Sequence, residues 1–522
     1  MSSRKQRLSA GTRPLLIGSL LLWGSAMAAE ADITTRTPSI SPDWGNIAGT
    51  SKTQISIQVC PEPPMRRGSA IHDQLFAALR GLHADFARYQ PWRPYPKLGV
   101  AELYPPKNGQ TSWDFTLIDP MVEDFMAASE GRPVIFAFTT IPSWMLKTKK
   151  PDEIPSDPDQ ISWAYGTNTA FEGLDSTVKL FAQYQARLAA WYMRGGFRDE
   201  LGRQHLSEHR YENIAYWGIL DEPRAEHGLT AAQYTQIYDA VVAAVKQVVP
   251  NMKFVGLADD DTVTVNVIPD RYPYFLDRSN HAGHAAVDAI AYHFYARPDW
   301  DESAEILQHT TFKEADQLLT AASYIEAIRR KFSPTTQTIV EELGGSFLPW
   351  AETPEQIRRK PVDRAYWNLA GGMWAYLYGH LVNLGVEMIH GAELIDYPGQ
   401  AASATLVDWD TGKPNARYWV LKLIHDNLGP GDKIIAQPAP DDSAAYPMTK
   451  VYSQAFVTPR GERKVLLVNK RDESGKINIS GVARGTAQTV DQTTVDGPVT
   501  RELLSDTVNL SGFAVTIVTL PK

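Results

Sequence analysis

From Thr53 onward the chain repeats one unit: a short apolar run, a few turn residues, then a longer segment with apolar residues three and four apart. No other feature limits the fold so tightly. Strands alternating with helical segments can pair in parallel, because each helix serves as the crossover to the next strand. The strand-like runs are Ile55–Val59, Phe86–Trp92, Val134–Thr139, Ile214–Leu220, Lys253–Leu257, Val287–Tyr295, Gln337–Glu341 and Val386–Ile389. The helical segments are Ser69–Gly81, Trp113–Ser129, Ser176–Gly195, Ala231–Val248, Phe312–Phe332, Pro361–Leu384 and Asn415–Leu428. Val134–Thr139 is apolar throughout, as expected of a strand covered on both faces. Eight such units predict an α/β fold, a (β/α)8 TIM barrel over residues 51–428. Gly429-Pro430-Gly431 then breaks the pattern. Short alternating runs follow at Lys450–Val457, Lys464–Asn469, Lys476–Ile479 and Ala514–Leu520, so residues 429–522 are expected to form a β-sandwich.

Two N-terminal segments stand apart. Residues 1–28 read as a signal peptide: Arg4, Lys5, Arg7 and Arg13 precede an apolar run from Pro14 to Trp23, and Ala26-Met27-Ala28 fits a cleavage site near Ala28. The expected location is therefore periplasmic or secreted. No second run of about 18 apolar residues predicts a membrane span after that cleavage. Residues 29–50 are polar and turn-rich, a segment that adds at most an outlying strand.

Composition removes several classes. Of 522 residues 43% are hydrophobic and 21% charged, which excludes a disordered chain. The net charge is −9, and losing the signal takes away four cations and no anion. Without a basic block beyond the N-terminus, nucleic acid is not an expected partner. Cys60 is the one cysteine, so an internal disulfide and cysteine-rich metal sites are excluded. The motifs His-Glu-x-x-His, Walker A and Gly-x-Ser-x-Gly are all missing. His281 and His284 share one loop, where they read as turn residues rather than metal ligands.

A TIM barrel carries its chemistry at the C-terminal ends of its strands. Two of those ends are acidic: the fourth strand runs into Asp221-Glu222-Pro223 and the seventh into Glu341-Glu342-Leu343-Gly344. Desolvating a charge is costly, so a carboxylate at the end of a buried strand needs a reason. The structural reason would be a helix cap or an ion pair with Arg. The chemical one is glycoside hydrolysis, in which one carboxyl donates a proton to the leaving oxygen while the other, ionised, attacks the anomeric carbon or activates water.

Glutamates at the ends of strands four and seven resemble the pattern of clan A glycoside hydrolases. More narrowly, Trp113-Asp-Phe-Thr-Leu-Ile-Asp119, the stretch Pro133 to Pro142-Ser-Trp144, and Tyr234 to Leu257 are similar to glycoside hydrolase family 39, the family of β-xylosidases, α-L-iduronidases and some exopolysaccharide hydrolases. Families 30, 51 and 79 stay open. The resemblance implies a retaining enzyme that needs no cofactor and no metal and acts on an oligo- or polysaccharide. By position it implies Glu222 as acid/base and Glu342 as nucleophile. Side-chain alternation lets only one of Glu341 and Glu342 face the mouth, and Glu342-Leu-Gly344 fits the family ending better.

Around that pair the resemblance places substrate-binding candidates. His293 and Tyr295 share a face at period two, with Tyr orienting the nucleophile and His touching the sugar. Arg88 would hold the nucleophile ionised. Trp92 and Trp144, with Trp374 and Trp350 behind them, are candidates for stacking on a pyranose face. Glu393, with Asp396 and Tyr397, would add polar contacts. Two positions depart from the pattern. Asp221 replaces the usual Asn, so either a sugar 2-hydroxyl donates to it, or the substrate differs there, or Asp221 is protonated; a second acid beside Glu222 should also help keep Glu222 protonated. Gln90 replaces the usual His. These departures leave open a different class of function, a non-hydrolytic carbohydrate-binding or polysaccharide-assembly protein on the same barrel, and also a lyase of acidic sugars.

Overall fold

The computed structural model describes residues 37–92, 95–148, 154–162, 169–170, 174–260, 268–284, 287–297, 302–345, 364–396, 404–437 and 450–522. Expectations for the signal segment, Trp350 and Tyr397 lie outside them.

Eight parallel strands close into a barrel: β1 (Gln54–Val59), β2 (Phe86–Tyr89), β3 (Val134–Phe136), β4 (Ile214–Gly218), β5 (Lys253–Asp259), β6 (Ala289–Ala296), β7 (Gln337–Gly345) and β8 (Met388–Gly391). The cyclic order follows the sequence, and β8 pairs back onto β1. The crossovers are α1 (His72–Leu82), α2 (Ile118–Ala128), α3 (Leu174–Arg194), α4 (Ala231–Val248), α5 (Ile268–Leu276), α6 (Ala304–Phe332), α7 (Arg364–Leu384) and α8 (Ala416–His425). Their apolar stripes pack on the outward residues of the strands, as Leu75, Leu79 and Leu82 of α1 show. At the start of α4, Thr230 accepts from the Gln233 N–H and completes a capping box.

The inward residues of the strands decide where chemistry sits. Phe86, Ile135, Tyr216, Val255, Ala289, Ala291, Ile339 and Met388 fill the lower barrel as one apolar cluster. Two residues further along four of these strands, the inward position turns polar: Arg88 on β2, His293 on β6, Glu341 on β7 and His390 on β8. All four are buried. An apolar plug below and a polar layer above is the floor of a site.

Beyond β8 lie β9 (Lys433–Ile435), β10 (Val451–Val457), β11 (Arg463–Asn469), β12 (Gly475–Ile479), β13 (Thr486–Val490), β14 (Val499–Glu502), β15 (Thr507–Leu510) and β16 (Val515–Thr519). A seven-stranded antiparallel sheet runs Ile47–Thr50, β9, β10, β11, β16, β13, β14, and a three-stranded sheet combines Ser39–Ile40, β12 and β15. β11 shows the layering. Leu466 and Val468 face the helices of the barrel, while Val465 and Leu467 face the smaller sheet. With both faces buried, the larger sheet is the middle layer of the sandwich side. Polar ties reinforce the join: Asn383 donates to Gln454 at 3.1 Å and Lys464 to Asn427 at 2.8 Å.

Candidate active site

Arg88 is the hub. Its guanidinium lies 3.0 Å from Asp221, 2.9 Å from Glu341 and 3.3 Å from Glu342, and it also donates to Gln58 and Gln90. Arg is suited to this because its planar fork offers five N–H donors in fixed directions. Gln90, fully buried, therefore serves to orient Arg88.

Glu341 and Glu342 both point inward, which alternation alone forbids. β6 and β7 shift register between Tyr292 and His293, so that Val340 pairs with Tyr292 and Glu342 with His293. Glu341 is the extra residue of a β-bulge. The bulge turns both side chains inward, which alternation along one strand does not anticipate. Glu341 lies lower, fully buried against Arg88, where it supports the site and does not reach its surface.

Glu342 is surrounded by donors. Gln58 reaches one carboxylate oxygen at 2.9 Å, the Tyr295 hydroxyl donates to the other at 2.8 Å, and His293 Nδ1 is 3.4 Å away. Burial raises its pKa, but His293, Arg88 and those hydrogen bonds outweigh burial and hold it below the ordinary carboxylate value. Replacing Tyr295 by Phe removes one hydrogen bond to a charged group, worth about 1.5–3 kcal/mol. The expected result is a roughly 10- to 150-fold fall in kcat/KM with the acidic limb of the pH profile moved upward.

Glu222 meets the same nitrogen of that imidazole, its Oε1 3.0 Å from His293 Nδ1. Its side chain is 21% exposed against 9% for Glu342, so it faces the opening. Burial pushes its pKa up to about 8; Asp221 and Glu342 add to the shift and His293 opposes it. Burial disfavours the imidazolium of His293, yet the carboxylates of Glu342 and Asp221 carry its pKa up to about 10. Asp221 turns toward Arg88 and reaches about 6, raised by burial and Glu342 against His293 and Arg88. Glu222 has φ 39° and Leu220 φ 60°, left-handed values that are costly outside Gly. The Glu222 N–H bonded to the Ala258 carbonyl at 3.0 Å helps pin this turn.

One imidazole nitrogen thus contacts both glutamates. Their contacting oxygens are no farther apart than the sum of 3.0 and 3.4 Å. Asp221, His293 and Glu342 offer ligand atoms within 4.8 Å of one another, but Arg88 already holds both carboxylates, and its charge opposes a second cation there.

The other candidates distribute unevenly. Trp92 is half-buried, donates to Glu226 at 2.9 Å, and walls a shallow pocket with Thr139, Thr140, Ile141 and Glu226. Trp144 packs on the main core and donates to the Glu102 carbonyl; no described contact joins it to the carboxylates. Trp374 is buried on α7 with its N–H on the His390 carbonyl, so it is a core residue and not a mouth residue. Glu393 is buried beyond β8, near Glu342 and Cys60. His281 is tied to Asp239 and the Phe275 carbonyl. Gln58 and Glu226 are site residues that the sequence reading passed over. Gln58 was signalled by its inward, polar place between Ile57 and Val59.

Compared with family models and with curated proteins, the sequence matches none. Solved structures do match. A conserved exported protein from Bacteroides fragilis aligns with TM-score 0.60 and 13% identity over 92% of this chain and 99% of that one. The GH51 arabinofuranosidase from Xanthomonas axonopodis pv. citri gives 0.61 and 13% over 92% and 99%. A GH39 β-xylosidase from Caulobacter crescentus gives 0.55 and 14% over 93% and 100%. The chain has the barrel-and-sandwich fold of these structures, among which are glycoside hydrolases of more than one family.

Proposed function

We propose that the chain is a retaining glycoside hydrolase, exported by its N-terminal segment, that cleaves O-glycosidic bonds of an oligo- or polysaccharide. The observation that carries this is the pair Glu222 and Glu342 on one imidazole, the first held protonated and the second held ionised. Two carboxyls with opposite protonation across one site are what double displacement needs.

In the first step a Glu342 oxygen attacks the anomeric carbon while Glu222 passes its proton to the glycosidic oxygen; the C–O bond breaks and a glycosyl ester forms. In the second step the Glu222 carboxylate takes a proton from water. The oxygen of that water displaces Glu342 and the sugar leaves. Arg88, Gln58 and Tyr295 keep Glu342 ionised between turnovers. Asp221 raises Glu222, as expected of a second acid beside it. The narrower reading, family 39, rests on the sequence stretches above; GH30, GH51 and GH39 structures superpose at similar TM-scores of 0.54, 0.61 and 0.55.

Activity on a panel of aryl glycosides tests the reading. Turnover should rise as pH climbs through the depressed pKa of Glu342, which must be ionised. It should fall as pH passes about 8, where Glu222 loses the proton it must donate. Glu222→Ala should abolish that basic limb and lower turnover about 10²–10⁴-fold on substrates with poor leaving groups. Tight oligosaccharide binding with no hydrolysis by the wild type would favour the binding-protein reading, and an unsaturated product end would favour a lyase.

A further inference from the structure

β8 and β1 are neighbours in the barrel, and the residues that follow them meet at its C-terminal mouth. The Leu394 N–H bonds to the Gln58 carbonyl at 2.8 Å, which brings Glu393 beside the segment Cys60-Pro61-Glu62. Glu62 is 2% exposed and Glu393 6% exposed. Each buries one carboxyl oxygen that has no hydrogen-bond partner among the described residues. The Cys60 thiol is the partner of the Glu393 carboxyl here; buried polar atoms usually have partners, so two such oxygens on neighbouring segments point to a ligand. Glu342 is the charge that acts most strongly on Glu393, so this corner adjoins the nucleophile and the sugar it would carry.

The charges settle which ligand fits. Arg88 is engaged by Asp221, Glu341 and Glu342. Arg417 places its guanidinium on the carbonyls of Leu343, Ala392 and Ala404, and its one charge also acts on Glu393 and Asp396. Asp396 adds a further negative charge next to Glu62. A uronate would meet charge of its own sign here. A hydroxyl or an N-acetyl group brings one donor and no charge. An ammonium brings three donors and a second positive charge to the three acids of this corner.

We propose that Glu62 and Glu393 bind the free ammonium group of an amino sugar, so that the substrate class is an oligo- or polysaccharide containing unacetylated hexosamine. This rests on the glycosidase reading and narrows it. Burial foremost, with Asp396 and Glu393 adding to it, lifts Glu62 above the ordinary range. Burial and Glu342 push Glu393 up to about 8. An arriving cation offsets both causes and lets the carboxyls ionise.

Titration calorimetry of the wild-type chain with β-linked oligomers of glucosamine and of galactosamine, their N-acetylated forms and the corresponding neutral glycans tests this without requiring turnover. The expected result is at least tenfold tighter binding of a free-amine oligomer than of its acetylated and neutral counterparts. Equal or weaker binding of every free-amine oligomer would overturn the proposal, whether or not any glycoside is cleaved. Glu62→Gln and Glu393→Gln should each cut the affinity ratio of amine to neutral ligand at least tenfold. An unchanged ratio in both folded variants would likewise overturn it. Failure of hydrolysis with preference for amines intact would count against the glycosidase reading alone.

Discussion

Glu342→Ala is expected to lose activity by roughly 10⁴-fold or more, because no other group among the described residues is placed to form the glycosyl ester. The loss should be chemically specific. Small anions such as azide fit the space vacated by the carboxylate. On an activated glycoside they should restore turnover and yield a glycosyl azide of inverted configuration. Glu222→Ala should instead give an azide product of retained configuration, because Glu342 still forms the ester and azide replaces water in the second step. Product configuration by NMR separates the two roles. Restored turnover with the same configuration from both variants would refute the division of labour between Glu222 and Glu342.

Arg88→Met is expected to damage both stability and chemistry. Arg88 is fully buried and bridges Asp221, Glu341 and Glu342. Its removal leaves buried carboxylates without their cation, a loss of about 3–5 kcal/mol for a broken buried pair, read as a lower urea midpoint. The second effect has a definite sign. Arg88 lowers the pKa of Glu342, so without it that pKa rises and the acidic limb of the activity profile moves to higher pH. Arg88→Lys should preserve part of the charge effect while losing the fork geometry. A variant with unchanged urea midpoint and unchanged acidic limb would show that the hub is idle.

The barrel strands were legible in the sequence because buried parallel strands are short and apolar, and helices show a 3.6-residue period between them. All eight appear within a few residues of their expected positions. α5 was missed. It has nine residues and carries Pro273 inside, and so gave no apolar stripe to read. β14 was missed for a different reason: its four residues are all exposed at a sheet edge and do not alternate. The hairpin Gly196–Arg198 with Gln204–Leu206 is too short to signal itself.

At the site, the acids ending β4 and β7 were legible because charge at the end of an apolar run is conspicuous. The bulge was not. It arises from pairing between β6 and β7, and single-strand alternation cannot see a partner's register. Hence Glu341 and Glu342, read as alternatives, both reach Arg88. Glu62 stayed hidden in the segment after β1, where an acidic residue is ordinarily solvated; its burial comes from the fold and not from its neighbours in sequence.

The most direct test of the account is to trap the enzyme with a slow 2-fluoro glycoside of whichever sugar it hydrolyses and to locate the label by peptide mass spectrometry. The account predicts one sugar on Glu342, released when an acceptor is added. A label on Glu341 or Glu222, or steady turnover of the parent sugar with inverted product and no trapped ester, would contradict it.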